Sequence, residues 1–378
     1  MKYQRLINLK RILEKRSYFL FGPRATGKST LIKNTLPNAT VFDLLDAETF
    51  QRLVRRPSLL DEQAEDSHII VIDEIQRLPS LLDEVHRLIE NRDRRFLLTG
   101  SSARQLRRGG SNLLAGRAFT AELFPLVSAE VSEFDVLNYL NSTGLPEFFN
   151  HRDADDFLEA YIGTYLQYEI QAESLVRNLS GFVRFLDVVA LCNGQEINYT
   201  SIGSDVGIPE RTVANYFSIL EDTLLGFQVP AYRSTTKRKA RAHAKFYWFD
   251  VGVVRWLSHI STYEPKSPQF GQALEHFIAL ELRAYFSYRK RRLSLQYWRT
   301  QSSFEVDFII DPELALEIKS TDLVKDKHLK GLRALREEGK LKRYGVVSLD
   351  PEYRITSDDI HIWPVALFLK KLWSDEIF

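Results

Sequence analysis

The stretch Phe21-Gly22-Pro23-Arg24-Ala25-Thr26-Gly27-Lys28-Ser29-Thr30 decides the fold. Its core fits the pattern G-x-x-x-x-G-K-[ST]. The five residues before the loop, Ser17-Tyr-Phe-Leu-Phe21, predict a strand, and the pattern after it turns helical. A glycine-containing loop in that context turns backbone N–H groups and a helix N-terminus toward an anion. Lys28 is then expected to reach the β- and γ-phosphates of ATP, and Ser29 to ligate Mg²⁺. Gly22, Pro23, Arg24, Ala25, Thr26, Gly27 and Thr30 complete the expected cradle. The alternative is a strand-to-helix turn with no ligand.

Working outward, short apolar runs alternate with helical patterns. Thr40 to Leu44, His68 to Ile72, Arg95 to Thr99 and Ala118 to Leu123 predict further strands. Between them, Leu81 to Ile89 carries apolar residues at 81, 82, 85, 88 and 89, the spacing of a helix face. Such alternation predicts a parallel sheet with helices on both sides.

Asp73 and Glu74 follow the run His68-Ile-Ile-Val-Ile72. At the end of a buried strand, Asp73 can hold Mg²⁺ and Glu74 can orient and deprotonate an attacking water. The strand Arg95 to Thr99 runs into Gly100, Ser101 and Ser102. A hydroxyl there, with Ser101 the chosen candidate, can bond the γ-phosphate or the water; helix capping by Ser101 or Ser102 is the alternative. Arg117, in Leu114-Ala-Gly-Arg117, is the arginine best suited to transition-state charge, supplied by a neighbouring subunit of a homo-oligomer. A surface ion pair is its bland reading.

Composition bounds the rest. The chain has 378 residues, 44% hydrophobic and 27% charged, enough for two or three ordinary domains. Lys plus Arg is 51 against 50 Asp plus Glu, which excludes a uniformly basic or acidic protein but not local patches. One cysteine, Cys192, excludes disulfides and cysteine zinc sites within the chain. No apolar run approaches a membrane span and the first residues lack a signal-peptide core, so a cytoplasmic setting without membrane contact is expected.

The chain resembles the prokaryotic AAA-type ATPases that carry a C-terminal DUF4143 domain. The resemblance rests on Phe21 to Ser29, Ile72-Asp-Glu-Ile-Gln76, Leu98-Thr-Gly-Ser-Ser102, Leu114-Ala-Gly-Arg117 and Leu123-Phe-Pro-Leu126. Gly144-Leu-Pro-Glu147, Phe246-Tyr-Trp-Phe-Asp250-Val-Gly252, Glu305-Val-Asp-Phe-Ile309 and Glu317-Ile-Lys319 follow in the same order. It implies an α/β multidomain chain: a P-loop AAA+-type parallel sheet, a helical or winged-helix-like middle, and a small nuclease-like α/β end. Lys28 and Ser29 fall on the Walker A pair, Asp73 and Glu74 on the Walker B pair, and Thr99 to Ser102 on sensor 1. The expected boundaries are 1–127 for the ATPase, 128–195 for a helical lid, 196–262 for the winged-helix-like part and 263–378 for the nuclease-like part.

Helices are expected near Ala129 to Leu140, Asp153 to Val176 and Gly181 to Leu191. The segment Thr200 to Leu220 then reads as helix, turn, helix. Gly207 can end the first helix and Pro209 can open the second. Val213, Phe217 and Leu220 would pack inward, leaving Arg211, Thr212, Asn215 and Ser218 outward to read a DNA groove. Arg233 to Lys245 carries six formal positive charges and no acid: Arg233, Lys237, Arg238, Lys239, Arg241 and Lys245. Such a run suits phosphate contacts. A structural three-helix unit and a solvated loop are the alternatives.

After the expected linker Pro265 to Pro268, the text reads helix, three strands, helix, strand. Glu275 sits on the helix, Asp307 on the second strand, and Glu317 with Lys319 on the third. This order resembles the PD-(D/E)xK nuclease core. Glu317 and Lys319, two apart on a strand, face one side. Asp307 can join Glu317 on one Mg²⁺, Glu275 can complete the site, and Lys319 can activate water. Glu305 shares the Asp307 face. A degenerate fold used for binding is the alternative. Three functions follow: an ATP-driven protein acting on DNA, an ATP-gated Mg²⁺-dependent nuclease, or a nucleotide-switched protein scaffold.

Overall fold

A strand that is apolar at every position needs cover on both faces. The first sheet shows this. In the computed structural model, β1 (Ser17–Phe21), β2 (Thr40–Asp43), β3 (Ile69–Asp73), β4 (Arg95–Gly100) and β5 (Ala118–Glu122) run parallel in the order β2-β3-β4-β1-β5. The helices are α1 (Leu9–Leu13), α2 (Lys28–Thr35), α3 (Ala47–Arg55), α4 (Leu59–Glu62) and α5 (Leu81–Arg92). Phe19, Ile72 and Leu98 pack on one face with Leu53 of α3 and Val85 of α5. Leu20, Val71 and Leu97 pack on the other with Leu13 of α1 and Leu31 of α2. Each such side chain contributes about 2 kcal/mol by leaving water. The structure describes residues 3–64, 68–101, 114, 116–166, 179–234, 243–301, 304–339 and 341–378.

The chain divides into two units. One is Met1–Leu126 with Leu145–Glu147 and Asp222–Leu225. The other is Val127–Gly144, Phe148–Glu221 and Gly226–Phe378. The second opens with α6 (Val136–Leu140), α7 (Ala154–Ala160), α8 (Leu179–Leu191), α9 (Tyr199–Val206) and α10 (Glu210–Asp222). Phe185 and Phe217 meet edge-on at 5.2 Å, and Phe217 meets Phe246 at 5.0 Å. These rings join α8 and α10 to an antiparallel ribbon, β6 (Gly226–Val229) with β7 (Lys245–Trp248). Next come α11 (Val251–Leu257) and α12 (Pro268–Tyr288).

The second sheet contains β8 (Gln296–Arg299), β9 (Glu305–Ile310), β10 (Leu314–Lys319), β11 (Arg343–Ser348), β12 (Arg354–Ile355) and β13 (Ile360–Pro364). Helix α13 (Lys330–Arg336) joins β10 to β11, and α14 (Val365–Trp373) follows β13. The order is β12-β13-β11-β10-β9-β8. β10 runs parallel to β11 and antiparallel to β9. Leu332 and Leu335 of α13 pack on Val306, Ala315 and Val346 of this sheet.

Three expected boundaries move for local reasons. The helix expected from Ala129 to Leu140 shrinks to a single 3-10 turn at Ser128–Glu130 and α6. Asp135 caps α6 instead, its side chain accepting from Asn138 N. α12 begins at Pro268, inside the expected linker, because Ser267 caps Phe270 N and proline suits the first turn. β12, β13 and α14 extend the C-terminal part beyond the expected last strand. The later part of the expected helix Asp153 to Val176 lies outside the described residues.

Candidate functional site

The loop of residues 22–27 leaves the C-terminal end of β1 and enters α2. In open parallel sheets that end is where ligands bind. Gly27 has φ +88°, a left-handed conformation that aims the chain into the helix. At Gly22, a Cβ would lie 2.5 Å from Leu123 O, so only glycine lets the loop pass the end of β5. Thr26 is fully buried, and its hydroxyl donates to Pro23 O at 2.8 Å, tying the turn together.

Lys28 Nζ curls into the loop, donating to Gly22 O at 2.6 Å and Pro23 O at 3.1 Å. Ser29 Oγ donates to Asp73 Oδ2 at 2.9 Å. Hard oxygen donors one hydrogen bond apart, on β3 and the first turn of α2, fit a Mg²⁺ held between them. Thr99 Oγ1 donates to Asp73 Oδ1, and Glu74 N donates to Thr99 Oγ1 at 3.3 Å. The hydroxyl beside the carboxylates is therefore that of Thr99. Ser101 Oγ meets only Gln76 Nε2 in this group, at 3.4 Å.

Glu74 takes φ +60° and is almost wholly buried, and its Oε2 accepts from Gln76 Nε2. Gly100 makes room for that amide, since a Cβ there would lie 2.5 Å from Gln76 Oε1. A cavity of about 630 Å³ opens beside the loop, lined by Lys28, Ser29, Glu74, Tyr3, Arg5 and Glu147 among others. Arg24, Ala25, Gly27 and Thr30 border the same cavity. Arg5 escaped the sequence reading; its guanidinium donates to Thr26 O at 2.7 Å and Phe124 O at 2.5 Å. A lone arginine shortly before an unremarkable helix carries no sequence signal.

Arg117 Nε lies 2.5 Å from Glu90 on α5, both side chains being substantially exposed. The arginine beside Glu90 holds that carboxyl below its ordinary range. This is the surface ion pair that stood as the alternative for Arg117, and a pair of this kind contributes at most about 1 kcal/mol.

In the second unit, Asp307 of β9 and Glu317 of β10 are brought together. Burial pushes both carboxyls up from their ordinary range, with the charge of Glu275 adding to the rise at Asp307 and that of Asp307 adding to the rise at Glu317. Glu317 Oε1 lies 2.5 Å from Lys319 Nζ, and its Oε2 is buried with no hydrogen-bond partner among the described residues. Glu275 is drawn elsewhere. Its Oε1 accepts from Tyr247 Oη at 2.5 Å and from Lys245 Nζ at 3.1 Å. Lys245 Nζ also lies 3.0 Å from Glu305. Among the described residues no three acidic, histidine or cysteine side chains converge on a metal position. The expected completion of a Mg²⁺ cage by Glu275 does not fit this arrangement.

Three family models match successive parts of the chain. Residues 14–132 match an AAA domain, 133–264 match a domain of unknown function (DUF8612), and 270–368 match a domain of unknown function (DUF4143). The chain is an AAA-domain protein with a DUF4143 domain. It is similar to uncharacterized proteins of Mycobacterium tuberculosis and Mycobacterium bovis, each 26% identical over 77% of this chain and 67% of theirs. It is also similar to an uncharacterized protein of Methanocaldococcus jannaschii, 23% identical over 75% of this chain and 71% of that one. Solved structures with some likeness include the Aeropyrum pernix ORC2 protein in its ADP form, at 15% identity, 58% and 84% coverage and TM-score 0.32. The Aeropyrum pernix ORC1 protein in complex with DNA gives 16% identity, 67% and 91% coverage and TM-score 0.27.

The AAA domain thus contains the loop, Asp73, Glu74 and Thr99, and the DUF4143 domain contains Glu275, Asp307, Glu317 and Lys319. Between them, α9 ends at Gly207 with φ +75° and α10 follows. Val213, Phe217 and Leu220 are buried, while Arg211, Asn215 and Ser218 are exposed and Thr212 is half-buried, the division of any amphipathic surface helix. The basic segment is the connection between β6 and β7. Lys237, Arg238, Lys239 and Arg241 lie outside the described residues. Lys245, counted with them as a phosphate contact, is buried inside the acidic cluster instead. Gly144 and Asp250, from two of the quoted motifs, hold the backbone of the second unit in place. Asp250 accepts from Thr143 Oγ1 at 2.9 Å, Gly144 N at 2.7 Å and Val253 N at 3.0 Å. Among the described residues no helix is long and apolar enough to cross a membrane.

Proposed function

We propose that the chain binds ATP with Mg²⁺ at the β1–α2 loop, hydrolyses it, and uses turnover to control its engagement with DNA. The observation that carries the ATP reading is the linked set Ser29–Asp73–Thr99–Glu74 beside the Lys28 loop. Backbone N–H groups of the loop and Lys28 would hold the phosphates, and Gly22 to Thr30 would shape the cradle. Bound Mg²⁺, on Ser29 and Asp73, would neutralise phosphate charge. Glu74 would accept the proton of the attacking water, and Thr99 would hold Asp73 and the Glu74 backbone in register. Ser101, through Gln76, would support the Glu74 carboxylate. Arg117 would leave its weak pair with Glu90 for the phosphates of a neighbouring copy.

The DNA part rests on the helix–turn–helix of α9 and α10 and on the basic connection of the β6–β7 ribbon, a winged-helix-like order. Arg211 and Asn215 would face a groove. Arg233, Lys237, Arg238, Lys239 and Arg241 would meet phosphates. We place the boundaries at 1–127, 128–195, 196–262 and 263–378. Fluorescence anisotropy of a labelled duplex against salt tests the DNA part. Replacing Lys237, Arg238, Lys239 and Arg241 with alanine should flatten the slope of log K against log salt by about 3 to 4, near 0.9 per contact. An unchanged slope, or no binding at low salt, leaves the chain a nucleotide-switched scaffold.

A further inference from the structure

We propose that Lys245 is the resident cation of the acidic cluster in the second unit, standing where a nuclease of this strand order would hold a divalent metal. The residue enters from β7, outside the helix-and-strand set that supplies Glu275, Asp307 and Glu317. Its side chain is only 4% exposed. Nζ lies 3.1 Å from Glu275 Oε1 and 3.0 Å from Glu305 Oε1, and 5.3 Å from the centre of the Tyr297 ring. A buried ammonium is retained only when carboxylates and hydrogen bonds compensate its desolvation, and this one has two carboxylates and an aromatic face.

Further bases stand on Glu317 and Glu305, while Asp307 Oδ2 accepts from Ile318 N at 2.7 Å. Lys319 lies on Glu317, and Arg299 Nε is 3.5 Å from Glu305. Arg299 is shared with Glu196, whose Oε1 lies 3.3 Å from its Nη1, so Glu196, Glu275, Glu305, Asp307 and Glu317 face Lys245, Lys319 and Arg299: five acids against three bases. A divalent ion between Glu275 and Glu305 would meet the buried Lys245 ammonium already held there, and like charges repel at that range. With Lys245 in place no three acidic side chains among the described residues converge on a metal position; removing its ammonium frees Glu275 and Glu305 to turn toward such an ion. The cluster is a latent metal site closed by a lysine, and the inference is independent of the ATPase reading.

The test is Mn²⁺ binding followed by electron paramagnetic resonance, on the full chain carrying Asp73→Asn so that the β1–α2 loop adds no site. With Lys245 intact, no saturable Mn²⁺ is expected. Lys245→Met should gain one saturable site, and adding Asp307→Asn should remove it again. A Mn²⁺ bound with Lys245 intact and released by Asp307→Asn overturns the proposal, as does a folded Lys245→Met chain that binds none. If Lys245→Met unfolds, Lys245→Met/Glu275→Gln removes both charges of one pair. That double variant should melt above Lys245→Met; a double variant melting no higher also overturns it.

Discussion

Asp73 is the residue on which the nucleotide site turns. One of its oxygens takes Ser29 and the other takes Thr99, which in turn accepts from Glu74 N. Thr99→Val keeps the shape and removes the hydroxyl, leaving a buried carboxylate oxygen and a buried N–H without that partner. The cost should be about 1 to 3 kcal/mol, read as a lower denaturation midpoint, with Thr99→Ser close to wild type. Equal midpoints for the valine variant and wild type would contradict this. Asp73, Glu74, Lys28 and Ser29 were legible because one short motif and one strand end name them. The choice between Thr99 and Ser101 was not. Both share a side in an extended chain, and only the β3–β4 register, with Ile72 opposite Leu98, sets Thr99 against Asp73. Lys245 was misread for a related reason: six basic residues in one segment look alike until β7 carries the last of them into the core.

At the scale of elements, the parallel strands were legible because unbroken apolar runs between helical patterns admit few other arrangements. β12 has two residues and β13 ends in Pro364, so neither gives a periodic signal. Helix α12 carries a second acid, this one buried and structural. Glu281 accepts from Ser128 N and Ser128 Oγ, both at 2.7 Å, and from Trp373 Nε1 at 2.6 Å, fastening α14 and the start of the second unit to α12. Burial pushes its carboxyl up to about 7 despite those donors. The unfolded carboxyl titrates near its usual value of about 4.3, so the folded state holds the proton longer. Its contribution is fully present below that value and is lost as pH rises toward 7. Glu281→Gln cannot ionise. Its melting temperature relative to wild type should therefore climb between pH 5 and pH 7, by the equivalent of about 2 kcal/mol. A difference that stays flat across that range would contradict the assignment.

For the whole molecule, the balance of 51 basic and 50 acidic residues hides segregation. Acids gather at Asp73 and Glu74 and again around Lys245, while five bases remain in the ribbon connection. A neutral total therefore does not oppose DNA binding. The proposed role of Arg117 puts it on the nucleotide of a second copy of the chain, away from its exposed pair with Glu90. Arg117→Ala and Glu74→Gln should each be inactive alone. Mixed, they should recover part of the turnover, because the Glu74→Gln copy supplies its arginine to the intact Glu74 of the other. No recovery in a verified mixed assembly would place the arginine's action within one copy or remove it.

The account stands most directly on Glu74. Phosphate release from ATP with Mg²⁺ by the full-length Glu74→Gln chain, with nucleotide binding measured in parallel by a fluorescent ATP analogue, isolates the proposed water-activating step from binding. The variant should bind the analogue as wild type does and release phosphate at least a hundredfold more slowly, on the order expected for loss of a general base. Binding with wild-type hydrolysis would contradict the central claim.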